Sequence, residues 1–453
     1  MILGQFNRFS MYSTSDICRT IAEKLSDKKL VDDAVHTGIQ NGRFYADWWE
    51  SQSLIGGYAG IAVFFSVMDQ CFPNENWDKI AHGYLKSAVE QFETQGFPNL
   101  SLYEGLAGLN LAAYLCSLRG IRYQQLLEKL DDTLIKHVQH YLWQTLPFIP
   151  ENETDFIDPS VYNLAQGLSG ILICMSLRKD QPNFCSLSCD IVKKLSQMFN
   201  GKKCVKENEY VVPWLVVPTY HLSKQEELYP EGSFWLSNPY GITGLLSSLA
   251  ITAREMTLPR EGYELIGTIS DWLVQKQGNH SQEVFWKHTI SLQEELSDDL
   301  TPPETNRDAW CYGIPAVTRA LFLAAKALKD DQLRGFAEKQ FLSLWSKSEK
   351  DWNLIGTSFG YGRAGHLAVA YRMYRDTNNP QLKSYLVDLE NGLKRYYDPN
   401  STFGFKAVSF SEKNEYMWID DPGLLNGASG IALSLLQTQQ NADQEWDRIF
   451  AIN

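Results

Sequence analysis

Ser237-Asn238-Pro239-Tyr240-Gly241-Ile242-Thr243-Gly244 holds one copy of a pattern that recurs along the chain. A glycine, two residues and a second small residue open an apolar segment. The copies are Gly57–Gly60, Gly105–Gly108, Gly167–Gly170, Gly241–Gly244, Gly313–Ala316, Gly362–Gly365 and Gly427–Gly430. Their first glycines are 48, 62, 74, 72, 49 and 65 residues apart. Seven copies, each followed by a run such as Ile-Leu-Ile-Cys-Met, make an internal repeat. Each period has room for two helices and their loops. Small residues at i and i+3 share a helix face and let backbones approach closely. A glycine just ahead of a helix also leaves backbone N–H groups exposed where the helix dipole is positive. The expected fold is all-α: seven helix pairs closed into a ring.

Composition sets the outer limits. The chain has 453 residues, of which 44% are apolar, enough for a large core. A closed repeat array of this length is compatible with a single domain. The net charge of −13 and the lack of a Lys/Arg stripe argue against a nucleic-acid partner. The eight cysteines are scattered without paired metal spacing, and Cys185 and Cys189 share a helix face. That usage fits reduced thiols. Neither a signal-peptide core nor an apolar run long enough for a membrane span is evident, so the expectation is a cytoplasmic protein that is not transmembrane.

Within this frame, residues 1–50 read as an N-terminal helical segment packing on the ring, with Ser15-Asp16 as a cap and Trp48 and Trp49 as anchors. Residues 51–453 read as the ring itself. A β-rich excursion interrupts it at about 201–236 and 280–305. Tyr210–Val217 and Val284–Ile290 are β-branched and aromatic, and read as extended pieces that pair with each other. Pro213 confines the first to an edge or a bulge. The seventh glycine-led helix runs out near Gln440, so its outer partner is expected from the N-terminal helix.

At Arg307-Asp308-Ala309-Trp310-Cys311-Tyr312-Gly313 the string becomes recognisable. Together with Ser101–Gly108, Gln166–Gly170 and Asn426–Gly430, it resembles the lanthionine synthetase C-like family, most closely the free-standing class I lanthipeptide cyclases. The resemblance covers roughly residues 50–440. It implies an α/α toroid of seven inner and seven outer helices. It also implies zinc chemistry: zinc activates a peptide cysteine as thiolate, the thiolate adds to a dehydroalanine or dehydrobutyrine, and the site re-protonates the enolate.

Carried over by position, the implied site is incomplete. Cys311 matches the first zinc ligand, but the adjacent Cys-His pair falls on Gly360-Tyr361. The catalytic His falls on Tyr240 and the acid/base Asp on Asn163, whereas Arg307 and Asp308 are retained. Catalytic zinc wants three protein ligands and an open position. His366 and His288 are the remaining candidates; one lies inside a helix and the other in an extended piece. The expected cofactor is therefore none. The candidate site comprises Tyr240, Asn163, Arg307, Asp308 and Tyr361, with Tyr162, Trp310 and Tyr312 as peptide contacts. Phenols stack on peptides and hydrogen-bond their carbonyls, but are weak bases at neutral pH.

Three functions remain open. The first is a cyclase-like protein without zinc chemistry that binds a dehydrated precursor peptide or a dehydratase partner. The second is a zinc-independent cyclase in which Tyr240, Tyr361 and Arg307 orient the peptide and stabilise an enolate. The third is an unrelated toroid enzyme, such as a carbohydrate hydrolase using Glu104, Asp308, Asp420 and Asp421. The partners implied by the resemblance are a precursor peptide, a dehydratase and a transporter.

Overall fold

The computed structural model describes residues 12–41, 49–146, 155–221, 223–281, 283–411, 415–439 and 445–453. Each glycine copy opens a helix. These glycine-led helices are α3 (Tyr58–Cys71), α5 (Leu106–Cys116), α7 (Leu168–Ser176), α9 (Ile242–Glu255), α11 (Gly313–Leu328), α13 (Arg363–Thr377) and α15 (Ala428–Gln439). They are buried on every side, and mostly apolar: Ala59–Met68 of α3 and Ile242–Thr252 of α9 are buried without a break, and α13 buries Ala364–Met373 with His366 and Arg372 among them. A helix of that kind has to lie inside a structure. Those between them are α4 (Trp77–Gln95), α6 (Gln124–His140), α8 (Pro182–Met198), α10 (Arg260–Gln275), α12 (Asp331–Leu342) and α14 (Pro380–Lys394). They bury one stripe only, as Leu265, Ile266, Ile269, Trp272 and Leu273 do in α10. Ahead of them come α1 (Thr14–Ser26) and α2 (Lys28–Asn41).

The chain divides into two compact units. The first contains residues 1–98, 108–127 and 354–447, and the second residues 99–107, 128–353 and 448–453. In the first, α13 packs on α15 and α15 on α3. Helix α1 lies against α15, with Cys18 Sγ donating to the Ala432 carbonyl. The N-terminal helix is thus the outer partner of the seventh glycine-led helix. Trp49 meets Tyr58 edge-on at 5.8 Å; Trp48 lies outside the described residues. In the second unit, α7 packs on α9 and α9 on α11.

Short strands occupy the loops as two-stranded antiparallel pairs: β1 (Lys203–Lys206) with β2 (Glu209–Val211), β3 (Ser233–Trp235) with β6 (Thr289–Ser291), β4 (Gly278–His280) with β5 (Glu283–Phe285), and β7 (Ala407–Phe410) with β8 (Tyr416–Ile419). The expected extended run at 210–217 is shorter than its composition implies. It turns at Pro213-Trp214 because Trp214 drives into the core, edge-on to Trp272 at 5.3 Å. The run at 284–290 likewise breaks where the Trp286 indole is buried and donates to the Leu273 carbonyl at 2.7 Å. The two excursions do pair, but through Phe234 opposite Ile290 rather than through Tyr210–Val217.

The second glycine of the repeat has a definite task. A Cβ at Gly60, Gly170, Gly244 or Gly430 would lie 2.1, 2.4, 1.8 and 1.8 Å from the carbonyl oxygen of Leu54, Leu164, Asn238 and Leu424, six residues upstream in each case. The close approach is therefore to the loop that precedes the helix, not only to a neighbouring helix. On top of that backbone contact, Gly170 and Gly244 receive Leu102 and Leu164 from the preceding repeat, and Gly60 receives Leu424.

Candidate functional site

Five of the seven loops ahead of the glycine-led helices share one construction; those before Gly313 and Gly427 have Ala309 and Gly423 at the capping place. Counting back from the first glycine, the fourth residue supplies a side-chain oxygen that accepts the N–H of the residue just before the glycine. In the second unit Ser101 holds Glu104 at 3.2 Å, Asn163 holds Gln166 at 2.7 Å and Ser237 holds Tyr240 at 3.1 Å. In the first unit Ser53 holds Gly56 at 3.2 Å and Ser358 holds Tyr361 at 3.4 Å. Such Asx- and Ser-turns fix a loop locally.

The residue two before the glycine joins each loop to the next through backbone alone. In the second unit, Tyr103 N–H donates to the Ala165 carbonyl at 3.2 Å and Ala165 N–H to the Pro239 carbonyl at 3.0 Å. Pro239 has no N–H, so its neighbour Asn238 donates to the Cys311 carbonyl at 2.9 Å. In the first unit, Phe359 and Gly360 donate to Leu425, and Leu424 and Leu425 to Ile55. This leaves the residue immediately before each glycine as the one that faces outward. Glu104, Gln166, Tyr240 and Tyr312 occupy that place in the second unit, and Gly56, Tyr361 and Asn426 in the first; all are at least partly exposed.

The expected site residues therefore separate into two groups. Tyr240 and Tyr312 sit on the open face of the second unit's loops, and Tyr361 on that of the first unit's. Asn163, Asp308, Tyr162 and Trp310 are interior, and Arg307 is only partly covered. Asn163 is 1% exposed and serves as a turn cap. Tyr162 is also 1% exposed, edge-on to Phe199 at 5.1 Å, and burial pushes its phenol up. Trp310 is buried, donates to the Phe450 carbonyl at 2.8 Å and packs edge-on to the Phe450 ring. Glu104, a candidate carboxylate in the sequence, does lie on this rim, and Gln166 and Asn426 join it; the sequence signal for these two is their place directly before a glycine.

Asp308 and Arg307 do not pair with each other as their adjacency implies. Asp308 is fully buried; Oδ1 accepts the Ile314 N–H at 2.9 Å and Oδ2 the Lys347 ammonium at 3.0 Å. Burial holds its carboxyl above the usual range, with Lys347 pulling the other way. Gly313 sits beside it at φ +69°, where a Cβ would meet Asp308 Oδ1 at 2.4 Å. Asp308 thus starts α11 and shapes the tight turn in which Ala309 and Tyr312 exchange backbone bonds. Arg307 turns to the Asn353 carbonyl at 3.1 Å, and its N–H donates to His288 Nε2 at 2.9 Å. His288 stacks on Tyr312, centroids 4.2 Å apart, and burial lowers its pKa to about 4. It is a neutral acceptor here.

These commitments bear on the zinc that the resemblance implies. Cys311 is 1% exposed, and burial pushes its thiol up. In its own unit, the Nε2 of His288 and both carboxylate oxygens of Asp308 are already engaged. In the first unit, residue 360 has no side chain, and His366 lies buried within α13, beyond its first residues. Among the described residues no three His, Cys, Asp or Glu side chains gather as a metal site. Within the second unit, then, the nitrogen and carboxylate donors named near Cys311 are committed to other partners.

Among described helices none is long and apolar enough to cross a membrane. Comparison with known proteins gives a solved structure, described as nisin cyclase, at a TM-score of 0.74 with 21% identity, covering 94% of this chain and 97% of that one. That likeness gives the fold, an all-α α/α toroid of inner and outer helices with short strands in its loops. The nisin biosynthesis protein NisC of Lactococcus lactis subsp. lactis is 24% identical over 365 residues, spanning 79% of this chain and 83% of NisC. Matching the family description "Lanthionine synthetase C-like protein" over residues 48–451, the chain belongs to the lanthionine synthetase C-like family.

Proposed function

We propose that this chain is a cyclase-like protein of lanthipeptide biosynthesis that binds a dehydrated precursor peptide without zinc-dependent thioether chemistry. The observation that carries the reading is the character of the outward-facing residues. Where family chemistry calls for an imidazole and for a Cys-His pair, this chain presents Tyr240 on the second unit and Gly360-Tyr361 on the first, and Tyr312 adds a phenol beside Cys311. Glu104 and Gln166 extend the polar edge of the second unit's loops. Aromatic rings with a polar tip bind extended peptides by stacking and by hydrogen bonds to carbonyls. None of them supplies a thiolate-activating charge.

The test joins elemental analysis with peptide titration on the full chain. Zinc well below one per chain is expected after purification in zinc-containing medium. A dehydrated precursor should bind, and Tyr240→Ala with Tyr312→Ala should weaken it about tenfold, the effect of losing two modest aromatic contacts. About one zinc per chain would overturn the reading. Faster ring closure on adding the metal-free protein would replace it with a zinc-independent cyclase.

A further inference from the structure

A groove in the first unit lies between α2 and β8, just upstream of the loop that leads to Gly427. It has a volume of about 300 Å³; Leu30, Asp33 and Thr37 form one wall, and Met417, Trp418 and Asp420 the other. Ile419 lines it as well, so four consecutive residues border it. Alternate residues of a strand point to opposite faces. A groove bordered by four in a row therefore runs along the strand's edge rather than over one face. That edge is open: among the described residues β8 pairs with β7 alone.

The lining has a chemical bias. Trp418 is 50% exposed, and neighbouring Tyr416 and Ile39 are 64% and 40% exposed. Asp420 Oδ1 is hidden from solvent with no hydrogen-bond partner, while the same carboxylate meets Lys406 at a loose 3.5 Å. A buried carboxylate oxygen without a donor is costly. Asp33 adds a second, exposed carboxylate across the groove.

We propose that this edge binds an extended, lysine-bearing segment of the precursor peptide as an added strand, an inference that rests on the reading above. Backbone bonds to β8 set the register, and side chains on alternate residues reach Trp418 and the two carboxylates. A lysine ammonium pairs with the Asp420 carboxylate, whose side chain is partly exposed and held only loosely by Lys406, and with Asp33 across the groove. At ~3.3 Å per residue the four bordering residues span about 13 Å, the reach of four or five peptide residues.

The test uses a fluorescein-labelled hexapeptide of alternating lysine and valine, its glutamate counterpart, and the dehydrated precursor, each read by anisotropy against the full chain. The lysine peptide should bind, weaken with added salt, and lose about tenfold in affinity in Asp33→Asn/Asp420→Asn and in Trp418→Ala. Trp143→Ala, an exposed tryptophan elsewhere, should bind as the parent does. Thermal melts exclude misfolding, and Asp33→Asn alone, at an exposed site, keeps the test open if the others unfold. Equal binding of the glutamate peptide, changes below about twofold, or sedimentation showing that two copies pair through this edge would overturn the inference. If the precursor binds the groove variants and the parent alike, the groove fails and the functional reading stands. If the precursor binds neither while the lysine peptide binds the parent alone, the functional reading fails and the edge remains a peptide site.

Discussion

Lys347→Met tests whether the Cys311 loop hangs on a buried charge pair. Asp308 and Lys347 are 0% and 6% exposed in their side chains and 3.0 Å apart. Removing one partner of such a pair strands the other charge, at a cost of about 3–5 kcal/mol. The Ile314 N–H still serves Asp308, which places the expected loss near the lower end, about 3 kcal/mol. Arg260 and Glu264, 89% and 58% exposed, provide the contrast: Arg260→Met should cost under about 0.5 kcal/mol. The pH dependence has a fixed sign. Burial already raises the Asp308 carboxyl, and without Lys347 it rises further. Between its unfolded and folded values the native state then holds a proton that the unfolded chain releases, so stability falls as pH rises through that window. The deficit of Lys347→Met should therefore shrink on acidification from pH 7.5 to 5. Adding Asp308→Asn should restore part of the loss at neutral pH, since no buried charge is then left alone. Urea unfolding followed by far-ultraviolet circular dichroism at both pH values reads all of this. A loss below about 1 kcal/mol, or one that does not change with pH, would refute the argument.

Three further outcomes are expected. Gly362→Ala should unfold at much lower temperature than the parent, because its Cβ would sit 2.6 Å from the Ser358 nitrogen; Gly360→Ala, with nothing closer than 3.5 Å, should lie within about 1 kcal/mol of it. Asn163→Ala should lose about 1 kcal/mol in chemical denaturation and Asn163→Ser much less, since a serine oxygen serves the same turn in four other loops. The fall of the His288 pKa from 6.5 to about 4 favours the neutral native ring; its stabilisation, on the order of 3 kcal/mol, is present above pH 6.5 and lost as pH falls through 4. His288→Gln, which keeps an acceptor for the Arg307 N–H, should flatten that part of the stability profile.

The helical repeat was legible because glycine and the apolar runs each state a physical demand. Period and all-round hydrophobicity give seven interior helices, and the single apolar stripe gives their partners. The β7–β8 hairpin lies outside the glycine pattern, although Ala407–Phe410 and Tyr416–Ile419 are strand-forming in composition. At the loops, residue type misled. Tyr162 and Trp310 are large aromatics a few residues ahead of a repeat glycine, which reads as a peptide surface, yet each is spent on core packing. Adjacency misled as well: Arg307 and Asp308 face different partners because consecutive residues of a tight turn diverge.

The same construction separates the loop atoms that the helices depend on from those they do not. Three of the four loop positions carry structural duties: the cap four before the glycine, the backbone link two before it, and the glycine itself. The link uses only N–H and C=O. Ile55, Tyr103, Ala165, Pro239, Cys311, Gly360 and Leu425 therefore all fill it, and even proline is accommodated by passing the donor role to Asn238. A ligand side chain at that position adds nothing to the link, and Gly360 in its place removes nothing from it. The residue directly before the glycine contributes only its backbone N–H to the cap, so tyrosine, glutamate, glutamine or glycine serve equally. The demands of chemistry and of folding thus fall on different atoms of the same loops: the turns ahead of α9 and α13 use the backbone N–H of Tyr240 and Tyr361, not the ring.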